Sequence, residues 1–99
     1  MAVLILLLSG CTAAGDGDRL ARQGETVYSA QGCYGCHTVG RTGTPIATDL
    51  THIGSKYSES YLRLWLADPA LQKPTAHMPK ISLTDPEIRA LAGYLGSLR

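Results

Sequence analysis

Residues 33–37 read Cys-Tyr-Gly-Cys-His, and this pattern constrains the fold more than any other stretch of the chain. Two cysteines with two residues between them can bring both sulfurs to one side of a short helical turn. From there the thiols of Cys33 and Cys36 can bond covalently to two edges of a porphyrin. The imidazole of His37 is then held beneath the ring, with a nitrogen directed at the iron. The motif therefore predicts covalent attachment of one haem c.

A redox-active dithiol and a zinc site are the alternatives for the two cysteines. A redox C-x-x-C motif usually lies in a βαβ context, and this sequence shows no alternation of strands and helices. A zinc site needs four ligands, usually in two close pairs. His52, His77, Cys11 and the carboxylates form no second pair at zinc spacing. Haem attachment is therefore the favoured interpretation.

The size and charge of the chain limit its class and partners. A length of 99 residues fits one small domain with a limited core, to which a covalently held haem would add a large apolar group. The 9 Lys+Arg and 8 Asp+Glu residues nearly balance, so neither nucleic acid nor an anionic membrane surface is expected as a partner. Three cysteines are an odd number, which argues against a disulfide framework.

The N-terminal segment has the character of an export signal. Its apolar run at residues 2–8 is too short to span a bilayer but long enough for a signal-peptide core. Leu8-Ser9-Gly10-Cys11 follows and resembles the bacterial lipobox. We expect a lipoprotein signal peptide at residues 1–10, lipid attachment at Cys11 and a flexible tether at residues 11–17. Acyl chains would anchor the domain to the extracytoplasmic (periplasmic or outer) face of a bacterial membrane. The alternative is a buried helix start with an ordinary core cysteine.

Residues 18–99 form the predicted domain, with three main helices, two long loops and no sheet. Helical spacing of apolar residues begins at Asp18. Ser58 opens the second helix, which ends at residues 68–69 because the residue before a proline disfavours helical geometry. A capping box at residues 84–87 opens the third helix. The predicted fold class is therefore all-α, with the helices wrapped around one haem.

Met78 is the leading candidate for a second iron ligand. It lies in a polar loop and is followed by Pro79, which stiffens the backbone that presents the sulfur. A thioether ligand favours reduced iron and raises the reduction potential, which suits an electron carrier. Met78 could instead fill the core. His77 or His52 could also ligate the iron and lower the potential, although both histidines are expected to be solvated.

The chain resembles a small class I bacterial cytochrome c. This resemblance implies the cytochrome c fold, and it implies that the first and last helices cross near Gly24 and Tyr94. A close helix contact would also compensate for Gly24, which costs roughly 1 kcal/mol relative to alanine inside a helix. The residues that carry the resemblance are Gly24, Tyr28, Cys33, Cys36, His37, Pro45, Trp65, Met78, Pro79 and Tyr94.

The same resemblance suggests roles for residues around the haem. It implies that the carbonyl of Pro45 accepts the free ring N–H of His37 and so fixes the imidazole. Tyr57 and Trp65 resemble donors to the haem propionates, but each is equally well explained as a core aromatic residue. A weakly basic docking rim is a further possibility, with ordinary solvated cations as the alternative, at Lys56, Arg63, Lys73 and Lys80.

Two strong axial ligands in an apolar pocket suit one-electron transfer, because no ligand has to be lost or gained. We therefore expect a membrane-tethered monohaem cytochrome c, a carrier and not an enzyme, that moves single electrons between respiratory or dehydrogenase complexes. Its partners would be an oxidase, a dehydrogenase or a quinol-oxidising complex. One alternative is a haem-based sensor or peroxidase-like enzyme with a labile sixth ligand. Another is an electron-relay subunit of a larger oxidoreductase.

Overall fold

The computed structural model describes residues 15–99; the predicted signal peptide and Cys11, the predicted site of lipid attachment, lie outside the described residues. None of the helices within residues 15–99 is long and apolar enough to cross a membrane. A 3-10 turn at Cys33–Gly35 follows the first helix, and β1 (Thr38–Val39) pairs with β2 (Thr42–Gly43). The helices are α1 Gly15–Ala30, α2 Ile53–Lys56, α3 Glu59–Ala67, α4 Pro69–Gln72 and α5 Asp85–Ser97.

The predicted all-α class is confirmed, and its three main helices correspond to α1, α3 and α5. The start of α1 differs from the prediction, since residues 15–17, assigned to the tether, form its first turn. Asp16 and Asp18 lie in this turn, where negative charge interacts favourably with the helix N-terminus. Helix α3, the second of the three predicted helices, ends at Ala67 as expected. Pro69 then begins the short helix α4, because proline is well suited to a first helical position.

The prediction of no sheet is wrong at one place, because β1 and β2 form a small antiparallel hairpin. Thr38 pairs with Gly43, and Val39 pairs with Thr42. Two residues per strand are too few to produce a recognisable alternation of apolar and polar side chains. Gly43 has a φ of 114°, and a Cβ there would collide with the carbonyl oxygen of His37. A glycine is therefore required where the hairpin passes the haem-attachment motif.

Helices α1 and α5 cross at Gly24, as predicted. An ideal Cβ at Gly24 would lie 2.6 Å from the carbonyl carbon of Ala90 and 2.6 Å from the Cβ of Tyr94. The missing side chain therefore allows the two helices to touch. Tyr28, one turn further along α1, is buried and packs edge-on against Tyr94, with their ring centroids 5.5 Å apart.

Helix α3 completes the core by packing on α5. Its N-terminus is capped by Ser58, whose side chain accepts a hydrogen bond from the backbone N–H of Tyr61. The predicted capping box at the start of α5 is present, since Thr84 and Glu87 each accept a backbone N–H from the other. The core of the described residues comprises Tyr28, Leu50, Ile53, Leu62, Leu66, Ala90, Leu91, Ala92, Tyr94 and Leu95.

Candidate functional site

A cavity of about 720 Å³ lies beside this core. Its volume falls within the range typical of sites for cofactors and small ligands. Four residues that the sequence assigns to haem attachment or iron ligation line it together, namely Cys33, Cys36, His37 and Met78. Most of the remaining wall is apolar or aromatic, formed by Tyr28, Ile46, Ala47, Leu50, Ile53, Tyr57, Tyr61, Leu62, Trp65, Leu66, Leu91 and Leu95.

The 3-10 turn presents the two thiols to this cavity. The backbone N–H groups of Cys36 and His37 both donate to the carbonyl of Cys33, at 3.2 and 3.0 Å, which curls the chain tightly around this residue. Cys33 is half-buried and Cys36 is exposed. Burial raises the pKa of the Cys33 thiol, so this sulfur stays protonated more readily than an exposed one. The turn thus places both sulfurs at one wall of the cavity.

His37 is oriented by a backbone carbonyl. Its Nδ1 lies 2.6 Å from the carbonyl oxygen of Thr48. Since a carbonyl oxygen can only accept, Nδ1 is the donor in this hydrogen bond, and in the neutral ring Nε2 then keeps a free lone pair. A neutral imidazole fixed in this way is the form that ligates a metal ion.

The acceptor is therefore Thr48, and the expectation that Pro45 serves this purpose is wrong. The backbone N–H groups of Ile46 and Ala47 both donate to the carbonyl of Cys36, at 3.2 and 2.7 Å. These bonds turn the chain after Pro45, so that the carbonyl reaching the imidazole belongs to Thr48. Pro45 itself does not line the cavity.

A cluster of hydroxyl groups around Asp49 holds the neighbouring backbone in place. The carboxylate accepts from the hydroxyl of Thr38 at 2.9 Å, and from the hydroxyl and backbone N–H of Thr51 at 2.6 and 3.2 Å. The hydroxyl of Thr51 in turn accepts from the backbone N–H of Gly40 at 2.8 Å. Hydrogen bonds from Thr51, and then from Thr38, lower the pKa of Asp49. The cluster ties the hairpin to the residue that follows Thr48.

Met78 reaches the cavity from the irregular segment between α4 and α5. Its sulfur lies 3.2 Å from Nε1 of Trp65, which donates its N–H to it. Met78 is half-buried and packs at the edge of the core rather than inside it. His77 and Pro79 on either side of it also line the cavity.

Of the other candidate residues, two line the cavity and one does not. Tyr57 and Trp65 both line the cavity, and Tyr57 stacks on Tyr61 with 4.9 Å between ring centroids. Neither belongs to the buried core of the described residues, and Tyr57 is 45% exposed. His52 is exposed and does not line the cavity; its Nδ1 lies 3.0 Å from the backbone oxygen of Arg99.

Lys73 and Arg63 are two of the four cations that the sequence suggests as a docking rim. Lys73 lines the cavity. Arg63 lies 3.8 Å from the carboxylate of Glu59 one turn earlier, and both side chains are about half exposed. Such an exposed pair contributes little to stability, but it reduces the positive charge that Arg63 presents to a partner.

The residues around the cavity fit a covalently attached haem. Two thiols, one fixed imidazole and one thioether line a single, largely apolar cavity. A profile of the family described as Cytochrome c matches residues 21–99. The chain belongs to the cytochrome c family. Haem c is therefore its cofactor, haem-based electron transfer its general function and the cytochrome c fold its architecture, and the match supports the small class I type.

Part of a characterised protein is similar in sequence to this chain. Cytochrome c oxidase subunit 2 of Alkalihalophilus pseudofirmus is 32% identical over 91 residues, which cover 83% of this chain and 27% of the relative. The chain thus spans about a quarter of the length of the relative that it matches.

Sequence reasoning missed the role of Thr48 and the cluster around Asp49. A backbone carbonyl acceptor leaves no signal in the side-chain sequence, because every residue carries one. The threonines at 38 and 51 flank Asp49 at unequal spacing and fit no recognised motif. Their convergence depends on the hairpin, which was itself not predicted.

Proposed function

We propose that this cytochrome c is a one-electron carrier whose iron is held by His37 and Met78, with the haem joined to Cys33 and Cys36. The observation that carries the proposal is that all four side chains line one cavity. His37 and Met78 come from segments separated by α2, α3 and α4. Their meeting therefore depends on the fold as a whole.

Haem supplies an iron that changes between two charge states. The chain supplies the environment that makes this change easy. The imidazole of His37 is locked by Thr48, and the sulfur of Met78 is engaged by Trp65, so both ligands are held in place in either state. The apolar wall disfavours the extra charge of the ferric state, and a thioether ligand favours the ferrous state, so both raise the reduction potential.

We further propose that the domain works on the extracytoplasmic face of a bacterial membrane, anchored through a lipid on Cys11. The support is the lipobox-like sequence after an apolar run. Attachment to a membrane would restrict the domain's search for redox partners to two dimensions. An oxidase, a dehydrogenase or a quinol-oxidising complex would be a suitable partner, and the chain itself would catalyse no reaction.

The identity of the sixth ligand is tested on the purified, haem-loaded protein. The ferric form is expected to show the weak near-infrared sulfur-to-iron charge-transfer band, and the ferrous form to bind carbon monoxide poorly. Met78→Ala should abolish the band, admit carbon monoxide and lower the potential. His77→Ala, the neighbouring substitution, should preserve the band because His77 is not the ligand in this proposal.

Two results would contradict this assignment. Rapid carbon monoxide binding by the unmodified protein would indicate an open iron face, and so favour the sensor or peroxidase-like alternative. Loss of the closed site in His77→Ala, with Met78→Ala unaffected, would make His77 the ligand and imply a lower potential.

A second candidate is that the domain relays electrons within or directly to a cytochrome oxidase. The observation that favours it is the 32% identity to part of a cytochrome c oxidase subunit 2. Affinity purification of the chain from native membranes should then recover oxidase activity and haem in a fixed ratio to it. A free carrier should instead separate from the oxidase in moderate salt, since carrier docking depends on screened surface charge.

A further inference from the structure

Lys73 stands out on the wall of the large cavity. Among the described residues it is the only lysine, arginine, aspartate or glutamate that lines this cavity. A largely apolar wall suits the flat macrocycle of a haem, but it does not suit the two propionate groups, which are ionised at neutral pH. Because a carboxylate withdrawn from water needs a charged or hydrogen-bonding partner, this single ammonium bears on where the charged end of the haem lies.

The backbone on both sides of Lys73 is held in place. Its N–H donates to the carbonyl of Pro69 at 3.0 Å, and its carbonyl accepts the N–H of Ala76 at 2.9 Å. Pro69 is fully buried. Pro74 follows the lysine and favours the extended conformation observed there, with a φ of −146° and a ψ of 105°. The exposed side chain of Lys73 therefore starts from a fixed point at the edge of the cavity.

The ammonium of Lys73 has no carboxylate partner within residues 15–99. The two ion pairs of this part of the chain join Arg19 to Asp16 and Arg63 to Glu59. An exposed lysine without a partner is usually only solvated. This one borders a cavity that belongs to a cofactor with two carboxylates, and a lysine ammonium forms charge-assisted hydrogen bonds with such groups.

The position of Lys73 differs from that of the cysteines. Cys33 and Cys36 line the large cavity and also a neighbouring one of about 230 Å³, whereas Lys73 and Tyr57 line only the large one. In haem c the thioether bonds and the propionates are carried by different pyrrole rings. Attachment to the cysteines therefore leaves the propionates for another part of the large cavity. Tyr57 is 45% exposed, so water reaches this part of the wall, as a pair of carboxylates requires.

We propose that Lys73 is a positioning residue for the cofactor and that its ammonium pairs with a haem propionate. This inference rests on the part of the proposed function that joins the haem to Cys33 and Cys36. The ion pair holds the charged end of the haem at the edge of the cavity, while the apolar wall takes the macrocycle. Lys73 then belongs to the haem site and not to a docking rim.

Two alternatives compete with this role. Trp65 is the rival donor to a propionate, but its single indole N–H is directed to the sulfur of Met78, at 3.2 Å. Docking of a redox partner is the rival role for Lys73. A lysine paired with a propionate changes the pKa of that carboxylate, whereas a lysine that contacts only a partner protein does not. The pKa of the propionate therefore separates the two roles.

The test measures the reduction potential of the haem-loaded protein as a function of pH. An ionised propionate stabilises ferric iron, so the potential falls with rising pH over the range in which the propionate loses its proton. A neighbouring ammonium favours the ionised form and keeps this range at lower pH. Lys73→Gln should therefore move the range upward by about one pH unit, a tenfold change in the acid dissociation constant. Lys73→Arg keeps the charge and should restore the original range.

Lys56→Gln is the matched control, because Lys56 is an exposed lysine that does not line the cavity. It removes the same charge and should leave the pH range unchanged. Besides the cysteines and His37, the titratable side chains on the cavity wall are Tyr28, Tyr57, Tyr61, Lys73 and His77. Phenols ionise in alkali and carboxylates in acid, so His77 is the one that can imitate a propionate. The shift caused by Lys73→Gln should persist in His77→Ala; its disappearance would assign the pH dependence to His77 and overturn the inference.

A measurement on the unmodified protein keeps the test valid if a variant fails to fold. In the diamagnetic ferrous protein, the methylene group next to the ammonium of Lys73 should show a nuclear Overhauser effect to a propionate methylene group. Absence of this effect, with both resonances visible, would show that the ion pair does not exist in the loaded protein.

Trypsin digestion separates this inference from the attachment on which it rests. Cleavage after Arg22 and Arg41 releases residues 23–41, which contain Cys33 and Cys36, and mass spectrometry should find the haem on this peptide. Haem found elsewhere would refute the proposed attachment. If the haem is on this peptide but Lys73→Gln leaves the pH range unchanged, the attachment stands and the role of Lys73 is refuted.

Discussion

Replacing Gly24 by alanine should destabilise the protein, although alanine is the better helix former. The new Cβ would lie 2.6 Å from the carbonyl carbon of Ala90 and from the Cβ of Tyr94, 0.8 Å closer than the 3.4 Å at which ordinary contact begins, and it would collide with the carbonyl oxygen of Ala90. The contacts with Ala90 are to backbone, so they cannot be relieved by a side-chain rotation, and the helices must separate. Overpacking of this kind costs up to about 3 kcal/mol, against a gain of about 1 kcal/mol in helix propensity. The expected net loss is about 2 kcal/mol.

Thermal unfolding of the haem-loaded protein, followed by far-ultraviolet circular dichroism, would measure this loss. A decrease of about 2 kcal/mol corresponds to a fall in Tm of roughly 8–16 °C for a domain of this size. Gly17→Ala is the matched control, because Gly17 lies in the same helix and a Cβ there would meet nothing within 4 Å. It should raise the stability by about 0.5–1 kcal/mol. Equal Tm changes in the two variants would refute the argument from close helix contact.

Two further predictions concern acid stability and membrane attachment. Asp49 has a lowered pKa in the folded state, so the stability it contributes is present above its unfolded pKa and is lost as pH falls through its folded pKa. Asp49→Asn should therefore be less stable than the unmodified protein at neutral pH, with the difference shrinking in acid; a constant difference across an acid titration would contradict this. Cys11→Ser should move the protein from the membrane to the soluble fraction after cell lysis, whereas a membrane-bound variant would rule out the lipid anchor on Cys11.

The sequence was most informative where the chemistry or the local structure requires one particular type of side chain. The attachment motif, Met78 and the start of the last helix could be predicted because thiols, a thioether and a capping box each have a recognisable spacing. In the structure Cys33, Cys36, His37 and Met78 line one cavity, and the capping box is present at the start of α5; their roles toward the haem stay predictions. The crossing at Gly24 was predictable for a related reason, since glycine inside a helix needs a compensating contact.

The sequence was least informative where a backbone group, and not a side chain, makes the contact. The resemblance points to the carbonyl of Pro45 as the acceptor for His37, yet the hydrogen bond is accepted by the carbonyl of Thr48, three residues further along the chain. The difference arises because the backbone N–H groups of Ile46 and Ala47 donate to the carbonyl of Cys36 and turn the loop. These bonds involve only backbone atoms, so the identity of the side chains does not predict them. The short strands were missed for the same reason, as four residues carry too little periodicity.

The two proposed iron ligands are held in place by different groups, one by a backbone carbonyl and the other by a side chain. His37 is fixed by a backbone carbonyl, which no single substitution can remove without moving the loop around Asp49. Met78 is fixed by a side chain, Trp65, which substitution can alter while α3 keeps its place in the core. For the proposed ligation by His37 and Met78, the histidine side is therefore the more rigid, and we expect a single substitution on the methionine side to change the reduction potential and leave the fold intact.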